Sequence, residues 1–479
     1  MIVGSEILED GTLLISYYDS YGKIKVLSKK LPSSELFNWV ESKTPTGFKN
    51  WDGRPITRKQ EKGQYISQFR IEEIIRKILT SSEIEEIFEM NFPKKTFIDI
   101  EIKLDSDVFP DPAKALMPVG LITFVGDDNI LYVLSIMDSE KHPTGLSQKD
   151  IARMENEVCE YFRSTIPLKK KGKDDSYLFK QDFKIKHKYF ETENEMLSFF
   201  FHNIVPRLAF ITGWNFTGFD WKYLMTRAKR LKIDALKNMP SGTSFSKNLI
   251  PKHLGILDYM EVFEKTRPYK VVENLKLDYI SKLVLNTQKL KHGYPSFFEF
   301  QKDTYLYTKY NVIDTLLVKL IEQKLSILDV AFSMSWVARI DINKVYSPVY
   351  ITEILMCREF LDQGLRMMKL PWDSKSEDPD ATYTGAFVKE PIPGYYRYVT
   401  CYDFKSMYPN VQIQFNISPD SYLGKIDEVK RTGNEIWTKN NTLFDSKKDS
   451  VAKKIQSRLY DERINTQNEI KILKSKLNG

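Results

Sequence analysis

Cysteine and histidine are scarce in this chain, three and five in 479 residues. Cys159, Cys357 and Cys401 lie far apart with no CxxC pair, and no two histidines stand in an HxH or HExxH pattern. A disulfide framework and a cysteine-rich zinc site are therefore excluded, and a reducing compartment fits. No run approaches the roughly 18 apolar residues a membrane-spanning helix needs. The opening MIVGSEILEDG is acidic and lacks the shape of a signal peptide. Internal repeats and low-complexity tracts are missing too. A soluble intracellular protein is expected.

Material for packed interiors is ample, with 42% hydrophobic and 13% aromatic residues, which excludes a largely disordered chain. The length exceeds one compact core, so two to four domains are expected. The net charge of +7 permits a polyanionic partner without requiring one. The excess is uneven: residues 447–479 hold nine Lys/Arg against four Asp/Glu.

Short strand-like runs (Leu13 to Ile15, Ile24 to Val26) open the chain, and a helix is expected around Ile71 to Phe88. From Lys95, KTFIDIEI alternates with period two and reads as a strand. GLITFV and NILYVLSI follow across a GDD turn as a hairpin. Capping-box patterns at Ser147–Asp150 and Thr192–Glu195 open helices. RLAFITGW is a further strand, a helix runs from about Asp220 to Leu231, and Tyr305 to Leu325 is helical with one buried stripe. Strands followed by mixed strands and helices predict an α/β or α+β domain of about 230 residues. Pro371 to Tyr383 reads as a linker, YRYVTCYDF (Tyr396 to Phe404) as another strand, and the stretch after about Ser450 as a lysine-rich helix.

On the strand from Lys95 to Ile102, Asp99 and Glu101 share one face and Ile98, Ile100 and Ile102 the other. Two adjacent acids on an otherwise apolar strand repel each other and resist burial, a penalty that a cation removes. Oxygen ligands suit Mg²⁺ or Mn²⁺. A strand with one solvated face is the alternative. Asp220, at a strand-to-helix junction, reads equally as an N-cap acid. Tyr310 and Asp314, four apart, share a helix face, as any partly exposed pair can.

Taken together, DIE on a strand, NxxxFD about 115 residues on and YxxxD about 90 further resemble the proofreading 3′→5′ exonuclease domain of family B DNA polymerases, in the DEDD superfamily. The resemblance implies a ribonuclease H-like domain with a mixed sheet. It implies Asp99, Glu101, Asp220 and Asp314 as ligands of two Mg²⁺ or Mn²⁺ ions, with Tyr310 orienting the water. Asn215 and Phe219 would place the unpaired 3′ end of a single strand. Asp258, in ILDYMEVF, is assigned a structural role.

The segment from Tyr383 to Tyr422, YTGAFVKEPIPGYYRYVTCYDFKSMYPNVQIQFNISPDSY, resembles the YxGG/A element and first palm motif of the same family. It is most similar to the replicative enzymes of tailed bacteriophages. An aromatic strand and turn in a core is the alternative. The resemblance implies Asp403 as a catalytic metal ligand, held at the end of a buried strand. Phe404, Ser406, Met407 and Tyr408 would meet the incoming dNTP, and Tyr383 and Gly385 the DNA. In the last helix Arg463 is the match for a triphosphate-binding residue, although a solvated basic helix explains that stretch as well. Met407 and Asn410 depart from the family's leucine and serine. Gln467 stands where the family has a lysine.

A fingers helix of type KxxxNSxYG and a DTDS turn do not occur before Gly479. A split phage polymerase is therefore expected, with a truncated polymerase chain as the alternative. The split form implies a heterodimer with a C-terminal chain, the host cytoplasm as its location and two further ions in the completed polymerase site. Primer–template DNA, a sliding clamp and other replisome proteins are the further partners. The implied layout is an N-terminal β-rich domain (1–95, with a return over 326–370), the exonuclease (96–325), a partial palm (371–450) and the start of the fingers (451–479). The alternatives are a free-standing 3′→5′ exonuclease with the palm as scaffold, and a DNA-binding remnant without activity.

Overall fold

The alternation from Lys95 to Ile102 produces the expected strand, which lies inside a six-stranded sheet. The computed structural model describes the chain except residues 166–182, 241–243, 247–248, 369–387, 428, 430–431 and 479. Two compact units emerge. The first comprises Met1–Glu35, Lys62–Gln64 and Lys77–Ile351, the second Leu36–Glu61, Tyr65–Arg76 and Thr352–Gly479.

In the first unit the sheet order is Gly255–Ile256, Phe210–Thr212, Lys95–Ile102, Val119–Val125, Ile130–Ser135, Lys184–Tyr189. Lys95–Ile102 runs antiparallel to Val119–Val125 and parallel to Phe210–Thr212. Of the six strands only Val119–Val125 is reversed, which is the mixed sheet of a ribonuclease H-like fold. Ile98, Ile100 and Ile102 pack with Ile122, Phe201 and Trp221 on one face. On the other, Phe97 packs with Leu316, Leu317 and Leu320 of the helix Thr304–Leu325.

That helix is buried on nearly every side rather than along one stripe. A helix so enclosed must satisfy its polar groups internally. Lys319 donates to Gly126 O (2.6 Å) and Asn129 Oδ1. Glu322 accepts from Lys95 (2.7 Å) and the Tyr259 hydroxyl (3.1 Å). A three-stranded meander, Ile2–Ile7, Thr12–Tyr18 and Ile24–Lys30, also belongs to this unit.

The helix expected from Ile71 to Phe88 is two helices, Gln68–Ile78 and Ser81–Phe88. Thr80 breaks it. Its side chain caps the second helix by accepting from Glu83 N, and Glu83 answers from its carboxylate to Thr80 N. The boxes at Ser147–Asp150 and Thr192–Glu195 form as expected.

The second unit holds a two-stranded ladder, Phe37–Glu41 with Ile56–Gln60, and a small antiparallel sheet of Tyr422–Lys425, Thr442–Asp445 and Glu435–Trp437. It also holds the 28-residue helix Val451–Asn478. Val451 and Ile455 pack on Phe360, flanked by Trp51. Asn416, 2% exposed, donates to Asp445 O and Lys448 O and accepts from Ser450 N (2.9 Å). Asp420 takes the Val451 amide (3.1 Å), so the NISPD turn seats the start of this helix.

The strand expected from Tyr396 to Phe404 does not form. These residues are exposed and carry no strand pairing among the described residues. Alternation specifies a strand only where a neighbour completes its hydrogen bonds and one face is covered. Asp403 therefore does not end a buried strand.

Candidate active site

The sheet brings Asp99 and Glu101 to one face, and the helix Thr304–Leu325 lays Asp314 against them. One carboxylate oxygen from each lies within 4.8 Å of the other two. Each acid has a neutral or cationic neighbour. Asn311 Nδ2 donates to Asp99 Oδ2 at 2.6 Å, and the Tyr307 hydroxyl to Glu101 Oε2 at 3.1 Å. Lys289 Nζ stands 2.5 Å from Asp314 Oδ2 and 3.0 Å from the Tyr310 hydroxyl. The fourth predicted acid, Asp220, lies outside this triad. It opens the helix Asp220–Arg230, and its Oδ1 accepts from Ile100 N at 3.2 Å. It remains close enough for Asp99 and Glu101 to act on its charge.

Burial and mutual repulsion disfavour ionisation throughout. Burial, then Asp314, push Asp99 up to about 7. Burial and Asp99 carry Glu101 and Asp220 well above the carboxylate range. Burial raises Asp314 also, against the pull of Lys289. Burial opposes the Lys289 charge, yet Asp314, Tyr310 and Asp99 together hold it well above the ordinary lysine value. Tyr310 and Tyr307 are raised by burial, then by Asp314 and Glu101 respectively, and stay neutral donors. Asp314 Oδ1 is buried with no hydrogen-bond partner. An oxygen-only donor set, short of positive charge and with one orphaned lone-pair site, fits a hard divalent cation.

A cleft of about 560 Å³ opens beside this cluster, lined in part by Glu101, Lys289, Tyr307, Tyr310, Phe109 and Phe219. Phe109 is 79% exposed, and its ring centroid lies 5.4 Å from that of Phe219. Asn215 is exposed in the loop before Asp220, with a left-handed backbone (φ +57°). Its carbonyl accepts from Phe219 N, and Gly218 sits against its side-chain oxygen, where a Cβ would come within 2.4 Å. Asp258 caps the helix Tyr259–Thr266 and accepts from Thr217 N at 3.0 Å, which pins the same turn and suits the structural role expected of it.

Two family descriptions match. "DNA polymerase family B, exonuclease domain" covers residues 57–281, and "DNA polymerase family B" covers residues 309–477. The chain belongs to the family B DNA polymerases. Among its relatives is the DNA-directed DNA polymerase of Escherichia phage RB69, 26% identical over 93% of this chain and 51% of that protein. The DNA-directed DNA polymerase of Enterobacteria phage T4 is 25% identical over 85% of this chain and 43% of its own length. The DNA polymerase of Archaeoglobus fulgidus is 27% identical over 55% and 32%. The chain thus spans about half the length, or less, of the curated relatives it matches.

The residues expected on the polymerase side are spread over an open surface. Asp403, Phe404 and Tyr408 are exposed, and Met407 begins the helix Met407–Gln414. Ser406, in the left-handed region (φ +51°), makes the turn into that helix. Arg463 Nη1 lies 3.2 Å from Ser406 Oγ. Tyr383 and Gly385 fall outside the described residues.

Four residues at the site, Tyr307, Asn311, Lys289 and Phe109, escaped the sequence reading. Tyr307 and Asn311 share a helix face with the expected Tyr310 and Asp314, at i, i+3, i+4 and i+7, so they were available once YxxxD was seen. Lys289 and Phe109 lie outside helices and strands, and no periodicity marks them.

Proposed function

We propose that this chain is the exonuclease-bearing part of a DNA polymerase, removing nucleotides from the 3′ end of single-stranded DNA with two Mg²⁺ or Mn²⁺ ions. The carrying observation is the convergence of Asp99, Glu101 and Asp314 within 4.8 Å, with one buried oxygen of Asp314 unpartnered. These three, with Asp220 beside them, are the residues that would hold the ions. Bound there, the ions would supply charge stabilisation at both ends of an in-line phosphodiester displacement. Tyr310 stays protonated and orients the attacking water through its hydroxyl oxygen, which Lys289 fixes by donating to it. Phe219 and Phe109 offer aromatic faces to a terminal base, and the left-handed turn at Asn215 sets where Phe219 begins its helix. Degradation of 3′-labelled single-stranded DNA tests this. The wild-type chain digests it with Mg²⁺, and Asp99→Ala with Glu101→Ala ends digestion. Undiminished activity in that double variant overturns the assignment.

On the polymerase side we assign Asp403 as one ligand of a second metal pair. Phe404, Ser406, Met407, Tyr408 and Arg463 would form the dNTP surface, and Tyr383 and Gly385 would contact primer–template DNA. DNA synthesis needs a further acid beside Asp403, and additional polymerase polypeptide, covalently continuous or a separate C-terminal chain, is the proposed source. A sliding clamp and other replisome proteins belong to the same expectation. The accompanying layout places the exonuclease at 96–325, an N-terminal domain at 1–95 and 326–370, a partial palm at 371–450 and the first fingers helix at 451–479. The exposure of Tyr396–Phe404 favours a second reading, an exonuclease that acts alone. Primer extension after adding the C-terminal polypeptide decides between them. Extension that Asp403→Ala abolishes supports the first reading, and no extension supports the second.

A further inference from the structure

A second cavity, of about 530 Å³, adjoins the candidate nuclease cleft through Lys289, which lines both. Its walls carry Lys282, Lys289 and Lys291, the amides of Asn286 and Gln288, and the hydroxyl-bearing Tyr161, Thr165 and Thr287. Among the described residues that line it there is no carboxylate. Among the described residues, neither Lys282 nor Lys291 enters an ion pair, and both are exposed. The wall is held in place at three points. The Tyr161 hydroxyl donates to Gln288 O at 2.5 Å, Thr287 Oγ1 to Thr165 Oγ1 at 2.8 Å, and Lys289 N to Asp278 Oδ1 at 2.8 Å. The residues after the helix Leu277–Leu285 thereby offer Lys289 to the carboxylate cluster and Lys291 to the cavity, and the last turn of that helix adds Lys282. Asp278 is engaged by the Lys289 amide and Asp314 by its ammonium, which leaves the ammonium groups of Lys282 and Lys291 and the amide donors as the chemistry that would hold a phosphate oxygen.

We propose that this groove is a phosphate-binding site behind the nuclease centre, taking either the 5′-phosphate of a released deoxynucleoside monophosphate or a backbone phosphate of the strand. It rests on the exonuclease reading for its biological ligand but not for its existence. Hydrolysis leaves a phosphate monoester next to buried carboxylates, and an adjoining cationic groove draws that anion away.

The test is equilibrium binding in EDTA, which removes the metal centre and nuclease activity from the measurement. Titration calorimetry with dAMP, with deoxyadenosine as the phosphate-free control, compares the wild-type chain with Lys282→Glu/Lys291→Glu. Fluorescence anisotropy with a labelled oligothymidylate forms the second arm, and circular dichroism checks the fold of the variant. A loss of at least fivefold for dAMP alone identifies the monoester as the ligand. A comparable loss for the oligonucleotide alone identifies the backbone diester. Unchanged affinity for both in a folded variant overturns the groove, whatever the nuclease assay shows. An inactive wild-type chain that still binds dAMP through these lysines would leave the groove standing and remove the exonuclease reading.

Discussion

Lys289 Nζ and Asp314 Oδ2 stand 2.5 Å apart at the junction of the two cavities. This ammonium is the cation that balances the acid cluster when no dication does so. Removing it leaves Asp314 buried beside Asp99 and Glu101 with no opposing charge. Lys289→Met is expected to destabilise the chain in EDTA by about 2 kcal/mol, below the range for a fully buried pair because the lysine is partly exposed. Saturating Mg²⁺ should recover most of that loss. Urea unfolding with and without the metal measures both.

The acid cluster also sets a pH dependence. Asp99 titrates near 7 in the folded chain, against about 3.9 when unfolded. A carboxyl whose pKa rises on folding favours the fold while protonated, and that contribution is lost as pH climbs from about 4 through about 7. In EDTA the melting temperature should therefore fall between pH 5 and pH 8. Mg²⁺ should flatten the decline, and so should Asp99→Asn with Glu101→Gln. A melting temperature that rises over the same interval in EDTA would contradict the arrangement.

Tyr307 and Tyr310 sit one helical turn apart and should separate cleanly in kinetics. The Tyr307 hydroxyl donates to Glu101 and so orients a proposed metal ligand. Tyr307→Phe should weaken Mn²⁺ binding by about tenfold, read by electron paramagnetic resonance, with the rate recovering at high metal. Tyr310→Phe should lower kcat by about tenfold or more at any metal concentration, with Mn²⁺ affinity unchanged.

Asn416 makes three hydrogen bonds at the root of the terminal helix. Asn416→Ala should cost about 2 to 3 kcal/mol by leaving buried backbone groups unpaired. Limited proteolysis should then cut near Val451 in the variant before it cuts the wild-type chain there, with the exonuclease rate unaffected.

The elements of the nuclease unit were legible because local signals agreed with burial. Period-two alternation from Lys95 to Ile102 gave a real strand, and the capping boxes gave real helix starts. The site's outline was legible from DIE, NxxxFD and YxxxD, since strand and helix spacing alone put Asp99 with Glu101 and Tyr310 with Asp314. Asp220's position outside the triad was not legible, because its hydrogen bond to Ile100 N depends on how a helix end meets a strand 120 residues earlier. Lys289 was hidden for a related reason: a loop residue reaches its partner through tertiary placement. Tyr396 to Phe404 failed in the opposite direction. Its pattern is that of a strand, but the described residues supply neither a pairing edge nor a covering layer.

The strand that carries Asp99 and Glu101 pairs with Val119–Val125 from Phe97 to Ile102 and with Phe210–Thr212 from Lys95 to Phe97, and Asp220 accepts from its Ile100 amide. Its amide hydrogens should be among the last to exchange in heavy water, since only opening of the whole sheet exposes them. Warming should therefore extinguish digestion and sheet structure at one temperature, with no interval in which folded molecules have already lost the activity. Whatever cleavage survives a heat step would then count intact molecules, a built-in assay of how much of the protein is still native.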